Sequence, residues 1–364
     1  MVEHDLAKVG VAGPSPVSRS RKEKGVQKDA LFLCLATRPH LIYISMPILH
    51  QVTGTLYFVE NYNPLKSMIM KRFVLTSVFL ALGLIWVSGI SPYVKIASYD
   101  GPMNEAVGTV TTLLTEEGYE IIGQYHPGDN PELYVLVFTS DEIKAFCQKS
   151  MDRGMLAAAM KVGFRLEEGK VTVSIVNPEY LFYAYFQEKM NEPSFNEEAL
   201  KISLKVKSFM GEGSLQEPFG GDLKTDKLVK YRYMAGMPNF GKAVSLAEFD
   251  SFNEGLAAIR NGLSRGGSTQ KVYEIVSANN EIAVFGIGLK DKETGEAHFL
   301  PIIGESHVAA MPYELILQGN EITILHGRFR FALHWPELKM KTFTKIMSSP
   351  GDVEDAMKSL FETD

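Results

Sequence analysis

Two stretches of similar length, one after the other, carry the same kinds of element in the same order. A chain that repeats itself in this way is confined to folds built from copies of one unit. In the first half, residues 104–117 put Val107, Val110, Leu113 and Leu114 on one helical face, and Gly118 follows as a stop. In the second, Phe252, Leu256, Ile259 and Leu263 do the same, ahead of Gly266 and Gly267. Each helix leads into a Tyr-Glu-Ile strand start, at Tyr119-Glu120-Ile121 and again at Tyr273-Glu274-Ile275. An apolar strand follows in each half (YVLVFT at 134–139, IAVFGIGL at 282–289), and then an alternating stretch at 169–175 and at 319–325. This order predicts an α+β protein. It has two related small domains, a tandem repeat of antiparallel sheets with helices on one face, over residues 98–190 and 249–362. Chance recurrence of short amphipathic elements is the alternative. Residues 191–248, with a helical pattern at 197–209 and the Gly/Pro-punctuated run GEGSLQEPFGGD, form a linker segment. A closing helix over 353–361 takes Asp352 as its N-cap.

At 364 residues with 45% hydrophobic and 22% charged residues, the chain has the composition of a globular protein and room for two cores. Its two cysteines, Cys34 and Cys147, form no CxxC pair, which excludes a disulfide scaffold and structural zinc. Residues 1–72 hold ten Lys and Arg against five Asp and Glu, and the remainder holds 27 against 38. The folded part therefore carries the sign opposite to that of a nucleic-acid binder, and no nucleic acid is expected as partner.

Met70-Lys71-Arg72 precedes residues 73–90, which carry no charge. A basic start and an apolar run ending in small residues are the pattern of an export signal, and the run also reaches the lower limit for a spanning helix. Residues 68–91 are thus a cleaved signal or a membrane anchor, and membrane contact is confined to 73–90 if it is retained. Val87-Ser88-Gly89 and Ile96-Ala97-Ser98 are the two small-residue cleavage candidates. Export signals open a protein, so residues 1–67 read as an over-extended start upstream of Met68 or Met70, or else as a cytoplasmic tail. The expected location is periplasmic or secreted, or anchored and facing the periplasm.

Familiar catalytic signatures are missing: there is no GxSxG elbow, HExxH or GxGxxG turn. Gly236 to Lys242 approaches a phosphate loop, but Ala243 stands where a Ser or Thr would hold magnesium. The strongest local pattern is LHGRFRFALHW at 325–335. Read as a strand, it places Leu325, Phe329, Phe331 and Leu333 on one face and His326, Arg328, Arg330 and His334 on the other. Arginine forks suit carboxylates and phosphates, so this basic stripe is a candidate anion contact, with arginines paired to surface acids as the plainer reading. Glu296-x-His298 and Glu305-x-His307 offer two imidazoles and carboxylates without a closed ligand set, and no metal is expected. His126 belongs to a turn, and Cys147 is a packing residue on a helix over 141–151.

The Val176-Asn177-Pro178-Glu179 turn after a strand resembles exported bacterial proteins of the domain of unknown function 302 group. So does the run from Met311-Pro312-Tyr313-Glu314-Leu315 through Gly319-Asn320 to Leu325-His326-Gly327-Arg328. The resemblance covers residues 100–362 and implies a small α+β fold, with no established activity to carry over. The functional expectation is a non-catalytic ligand-binding or interaction module for an anionic or apolar small molecule, with no cofactor and an undetermined oligomeric state. Its candidate contacts are His326, Arg328, Arg330, His307 and Tyr313. The alternative is a hydrolase or transferase with Glu305 as base and His307 as its partner.

Overall fold

The computed structural model describes residues 89–211 and 214–362, and it forms two antiparallel sheets with helices packed on them. The first sheet contains β1 (Tyr93–Asp100), β2 (Glu120–Tyr125), β3 (Leu133–Thr139), β4 (Met160–Glu167), β5 (Lys170–Val176) and β6 (Glu217–Phe219), in the order β2-β3-β4-β5-β1-β6. The second contains β7 (Val244–Glu248), β8 (Thr269–Ser277), β9 (Ile282–Leu289), β10 (Tyr313–Gln318) and β11 (Glu321–Ile324), in the order β8-β9-β10-β11-β7. Strand for strand the two orders match, and β6 is an addition beyond β1. The closing hairpins also correspond, with Glu167 opposite Lys170 and Gln318 opposite Glu321.

The helices of the first unit are α1 (Met103–Glu116), α2 (Asp141–Gln148), α3 (Pro178–Phe186), α4 (Pro193–Lys207) and the short α5 (Thr225–Leu228). Those of the second are α6 (Phe252–Ser264), α7 (Glu296–Ile303), α8 (Gly327–His334), the short α9 (Met340–Phe343) and α10 (Ser349–Lys358). Local chemistry sets several of the starts. Ser140 and Ser251 accept the backbone N–H of Ile143 and Glu254, capping α2 and α6. α6 buries Phe252, Leu256, Ile259 and Leu263, the face its periodicity predicts. In α1 the buried face is Ala106, Val110 and Leu114, with Val107 and Leu113 half-buried beside it.

Several boundaries differ from the sequence reading. The expected linker supplies β6 to the first sheet and β7 to the second, because edge strands this short show too few alternations to be read. β1 begins ahead of residue 98, so cleavage after Ser98 would cut a strand held between β5 and β6. The Tyr-Glu-Ile match does not carry into the ladders: Tyr119 precedes β2, whereas Tyr273 lies inside β8 opposite Gly286. Asp352 is not an N-cap; α10 starts at Ser349 with Pro350 in its first turn, and Asp352 sits in that turn, where the helix dipole favours it. Residues 1–67 and nearly all of 68–91 lie outside the described residues. Among the described residues, no helix is long and apolar enough to cross a membrane.

The two units share one core. The 3-10 turn Glu305–Ala310 of the second unit lies across β4, and Gly163 makes room for it. A Cβ at that position would stand 2.6 Å from Val308 Cγ1 and 2.7 Å from Ala309 N. Lys161, two residues earlier on β4, shares this face, and so the second unit meets it directly.

Candidate functional site

Residues 325–335 are not a strand. β11 ends at Ile324, His326 caps a helix by accepting the Arg328 N–H at Nδ1 (3.3 Å), and α8 follows. Its alternation of apolar and polar residues arises because α8 is covered on nearly all sides: Phe329, Arg330, Phe331, Leu333 and His334 are buried. The expected stripe therefore divides. Arg328 is exposed, His326 is half-buried at the cap, and Arg330 and His334 point into the protein.

On the inner side, Arg330 donates from Nε and Nη2 to Glu314 Oε2 (3.1 and 3.0 Å), and from Nη2 to the carbonyls of Ala310 (2.5 Å) and Pro312 (2.8 Å). Its guanidinium lies 3.8 Å over the Tyr313 ring centroid, a cation–π contact. Lys161, buried on β4 of the first sheet, donates to Glu314 Oε1. The carboxylate thus joins a cation from each unit. Burial lowers the Lys161 amine below its ordinary value, against the pull of Glu314, and Arg330 lowers it further. Glu314 raises the guanidinium and keeps it charged despite burial. His334 is held well below the usual imidazole range by burial first and by Arg330 and Lys161 next, so it is neutral. Its Nδ1 lies 3.0 Å from the hydroxyl of Tyr93, on the first sheet.

The carboxyl end of α8 is fixed from three directions. Tyr231 Oη donates to the carbonyl of Ala332 (2.8 Å), Tyr180 Oη of α3 to that of Leu333 (2.7 Å), and His307 Nδ1 lies 2.9 Å from that of His334. These are carbonyls that a helix end leaves without internal partners. His307 stacks on Trp335, is buried, and has its Nε2 3.6 Å from Glu337 Oε1. Burial lowers its imidazole below the ordinary value. Glu305 instead lies 3.8 Å from Arg165, so neither recorded partner of His307 is the carboxylate expected to act with it.

Glu296 is buried where the units meet. Tyr125 Oη (2.9 Å) and the Gly128 N–H (3.0 Å) donate to its two oxygens, yet burial raises its carboxyl from 4.5 to about 7. Among the described residues, no three His, Cys, Asp or Glu gather as a metal site. The segment Gly236 to Lys242 leads into β7 and not into a helix, so it lacks the helix N-terminus a phosphate loop requires. Cys147 is buried on α2, and burial pushes its thiol up, which makes it inert.

The outer side of α8 faces a groove of about 200 Å³, lined by Met234, Met237, Met340, Met347 and Tyr233, with Arg328 on its wall. Met234, Met340 and Met347 are 47%, 49% and 61% exposed, an unusual concentration of open methionine. Arg328 forms no ion pair among the described residues. Tyr233 also borders a second cleft, of about 490 Å³, lined by Lys227, Lys230 and Arg232 with Asp226 as its acid. The apolar groove and the basic cleft are therefore neighbours.

Of the sequence candidates, Arg330 and Tyr313 come together inside, Arg328 lies outside on the groove, and His307 and His326 hold the two ends of α8. Lys161, Glu314 and Tyr93 escaped local reading as site residues, and Tyr180 stands out only as part of the aromatic run 180–186. The one signal for the first two is a lone charge in each of two apolar strands, in Met160-Lys161-Val162 and in Tyr313-Glu314-Leu315.

No family model matches the chain, and no curated protein matches it. Among solved structures it is similar to an uncharacterized conserved DUF302 protein from Bacillus stearothermophilus, at 18% identity and a TM-score of 0.26. The match covers 32% of this chain and 94% of that one. The fold described above is α+β, with two antiparallel sheets and helices.

Proposed function

We propose that this protein is an exported envelope protein built of two domain of unknown function 302-like units, and that it binds an amphiphilic anion without transforming it. The observation that carries this reading is the groove beside α8. Methionines and Tyr233 offer an adaptable apolar wall, Arg328 stands on that wall with no acid of the described residues paired to it, and Lys227, Lys230 and Arg232 line the adjoining cleft. An alkyl chain fits the first part, and a carboxylate or phosphate head suits the arginine fork and its basic neighbours. The duplicated strand order supports the tandem reading, and the uncharged run 73–90 behind Met70-Lys71-Arg72 supports export.

Calorimetric titration with dodecanoate, dodecanol and dodecyltrimethylammonium separates the contributions. Dodecanoate is expected to bind at one site, and Arg328→Gln to weaken it about tenfold while leaving dodecanol unchanged, the loss of one charge-assisted bond. Equal affinity for all three amphiphiles, or binding of none, would overturn the reading.

A further inference from the structure

We infer that the buried cluster around Arg330 holds a small inorganic anion of halide size, coordinated between the two sheets. The inference does not depend on the groove outside α8.

The charge count points first. Lys161, when protonated, and Arg330 set two cations against the one carboxylate of Glu314, all within the core; the side chains of Lys161, Glu314 and Arg330 are 3%, 4% and 1% exposed. The other buried carboxyl, Glu296, is occupied by Tyr125 and Gly128. An excess cation deep in a protein is costly unless a counter-charge reaches it.

The unpartnered atoms point to the same place. Arg330 Nη1, Tyr273 Oη and His334 Nε2 are all buried without a hydrogen-bond partner among the described residues. Buried polar atoms are nearly always bonded, so three orphans in one neighbourhood call for an explanation. Each can donate. Nη1 and the Tyr273 hydroxyl carry hydrogens, and the tautomer of the neutral His334 ring in which Nδ1 accepts from Tyr93 puts its one hydrogen on Nε2. Lys161 spends one of its three protons on Glu314.

Strand register brings these groups together. Tyr273, Gly286 and Glu314 are directly opposite one another on β8, β9 and β10, so their side chains share one face. Gly286 has no side chain, and the Tyr273 ring lies over it. A Cβ there would stand 2.0 Å from Tyr273 Cε1 and 2.8 Å from Pro312 Cγ, next to the carbonyl that binds Arg330. Tyr313 lies under the guanidinium, and His334 follows Arg330 by one helical turn. Unspent donors set around Lys161 and Arg330, with Glu314 as the one carboxylate among them, describe a receptor for an anion and not for a cation or an apolar molecule.

Bromide tests this, since it scatters anomalously and takes the place of chloride. Crystals of the protein grown in sodium bromide are expected to give an anomalous peak within hydrogen-bond reach of Arg330 Nη1 and Tyr273 Oη. In solution, the melting temperature should rise saturably with bromide and not with gluconate, which is too large to enter. Tyr273→Phe keeps the ring that packs on Gly286 and removes one donor, so it should fold normally and weaken the bromide effect about tenfold. Water alone at the cluster would overturn the inference. So would a peak with no saturable stabilisation and no response to Tyr273→Phe, which would mark an adventitious ion only.

Discussion

α3 and α8 follow the corresponding strands β5 and β11, and both begin at a side-chain cap, Asn177 and His326. They are built for different ends. In α3 the buried residues are Pro178, Tyr180, Leu181, Phe182, Ala184, Tyr185 and Phe186, and α4 covers it through an aromatic cluster in which Phe182 and Phe186 meet Phe146 and Phe195. α8 carries Arg328, Arg330 and His334 instead, one side turned to the polar cluster and the other to the groove. One of the two helices is given over to packing and the other carries buried charge. Two units of matching strand order can differ in this way because one packed helix secures the shared core, and the other is then free to carry charges that weaken it.

The comparison breaks most sharply at Glu314. Glu314→Gln leaves Lys161 and Arg330 facing each other without a counter-charge, and it is expected to destabilise the protein by about 3 to 5 kcal/mol, the usual cost of breaking a buried pair. Urea unfolding measures it. A loss under about 1 kcal/mol would mean that the charges are not mutually dependent and that α8 packs as α3 does.

Glu296 gives a pH signature of similar rank. Its folded carboxyl titrates near 7, above the 4.5 of the unfolded chain, so the folded state holds the proton more tightly. Its contribution is therefore fully present below about pH 4.5 and is lost as pH rises through about 7, a change of about 3 kcal/mol. His334 and His307, whose imidazoles are lowered, act in the opposite sense as pH rises through the ordinary histidine range. The measurement is thus the difference between the stability profiles of the native protein and Glu296→Gln. That difference should slope between pH 4.5 and 7; a flat one would place Glu296 in contact with water.

How far the sequence reveals this division depends on distance along the chain. α6, its serine cap and its buried face follow from local periodicity, and β9 occupies 282–289 as its apolar run predicts. α8 misleads because residues covered on all sides lose the helical period, and what remains looks like the alternation of a strand. The inner cluster is not local at all. Lys161 and Glu314 stand far apart in sequence, and only the packing of one sheet on the other turns two isolated charges into a pair.

The smallest expected effect is the most direct probe of how the two helices depend on each other. Tyr180 belongs to the packing helix, yet its hydroxyl donates to the carbonyl of Leu333 at the end of the charged one. Tyr180→Phe leaves the α3 core its ring and takes away only that bond, so the exposed cost is an unsatisfied buried carbonyl, about 1 to 2 kcal/mol in urea unfolding. The helix end also loses one of its three anchors, while those from Tyr231 and His307 remain. Amide hydrogen exchange should then quicken over α8 more than over α3. Equal protection of both helices in the variant would mean that α8 is positioned by its own contacts, and that the packing helix does nothing to hold the charged one in place.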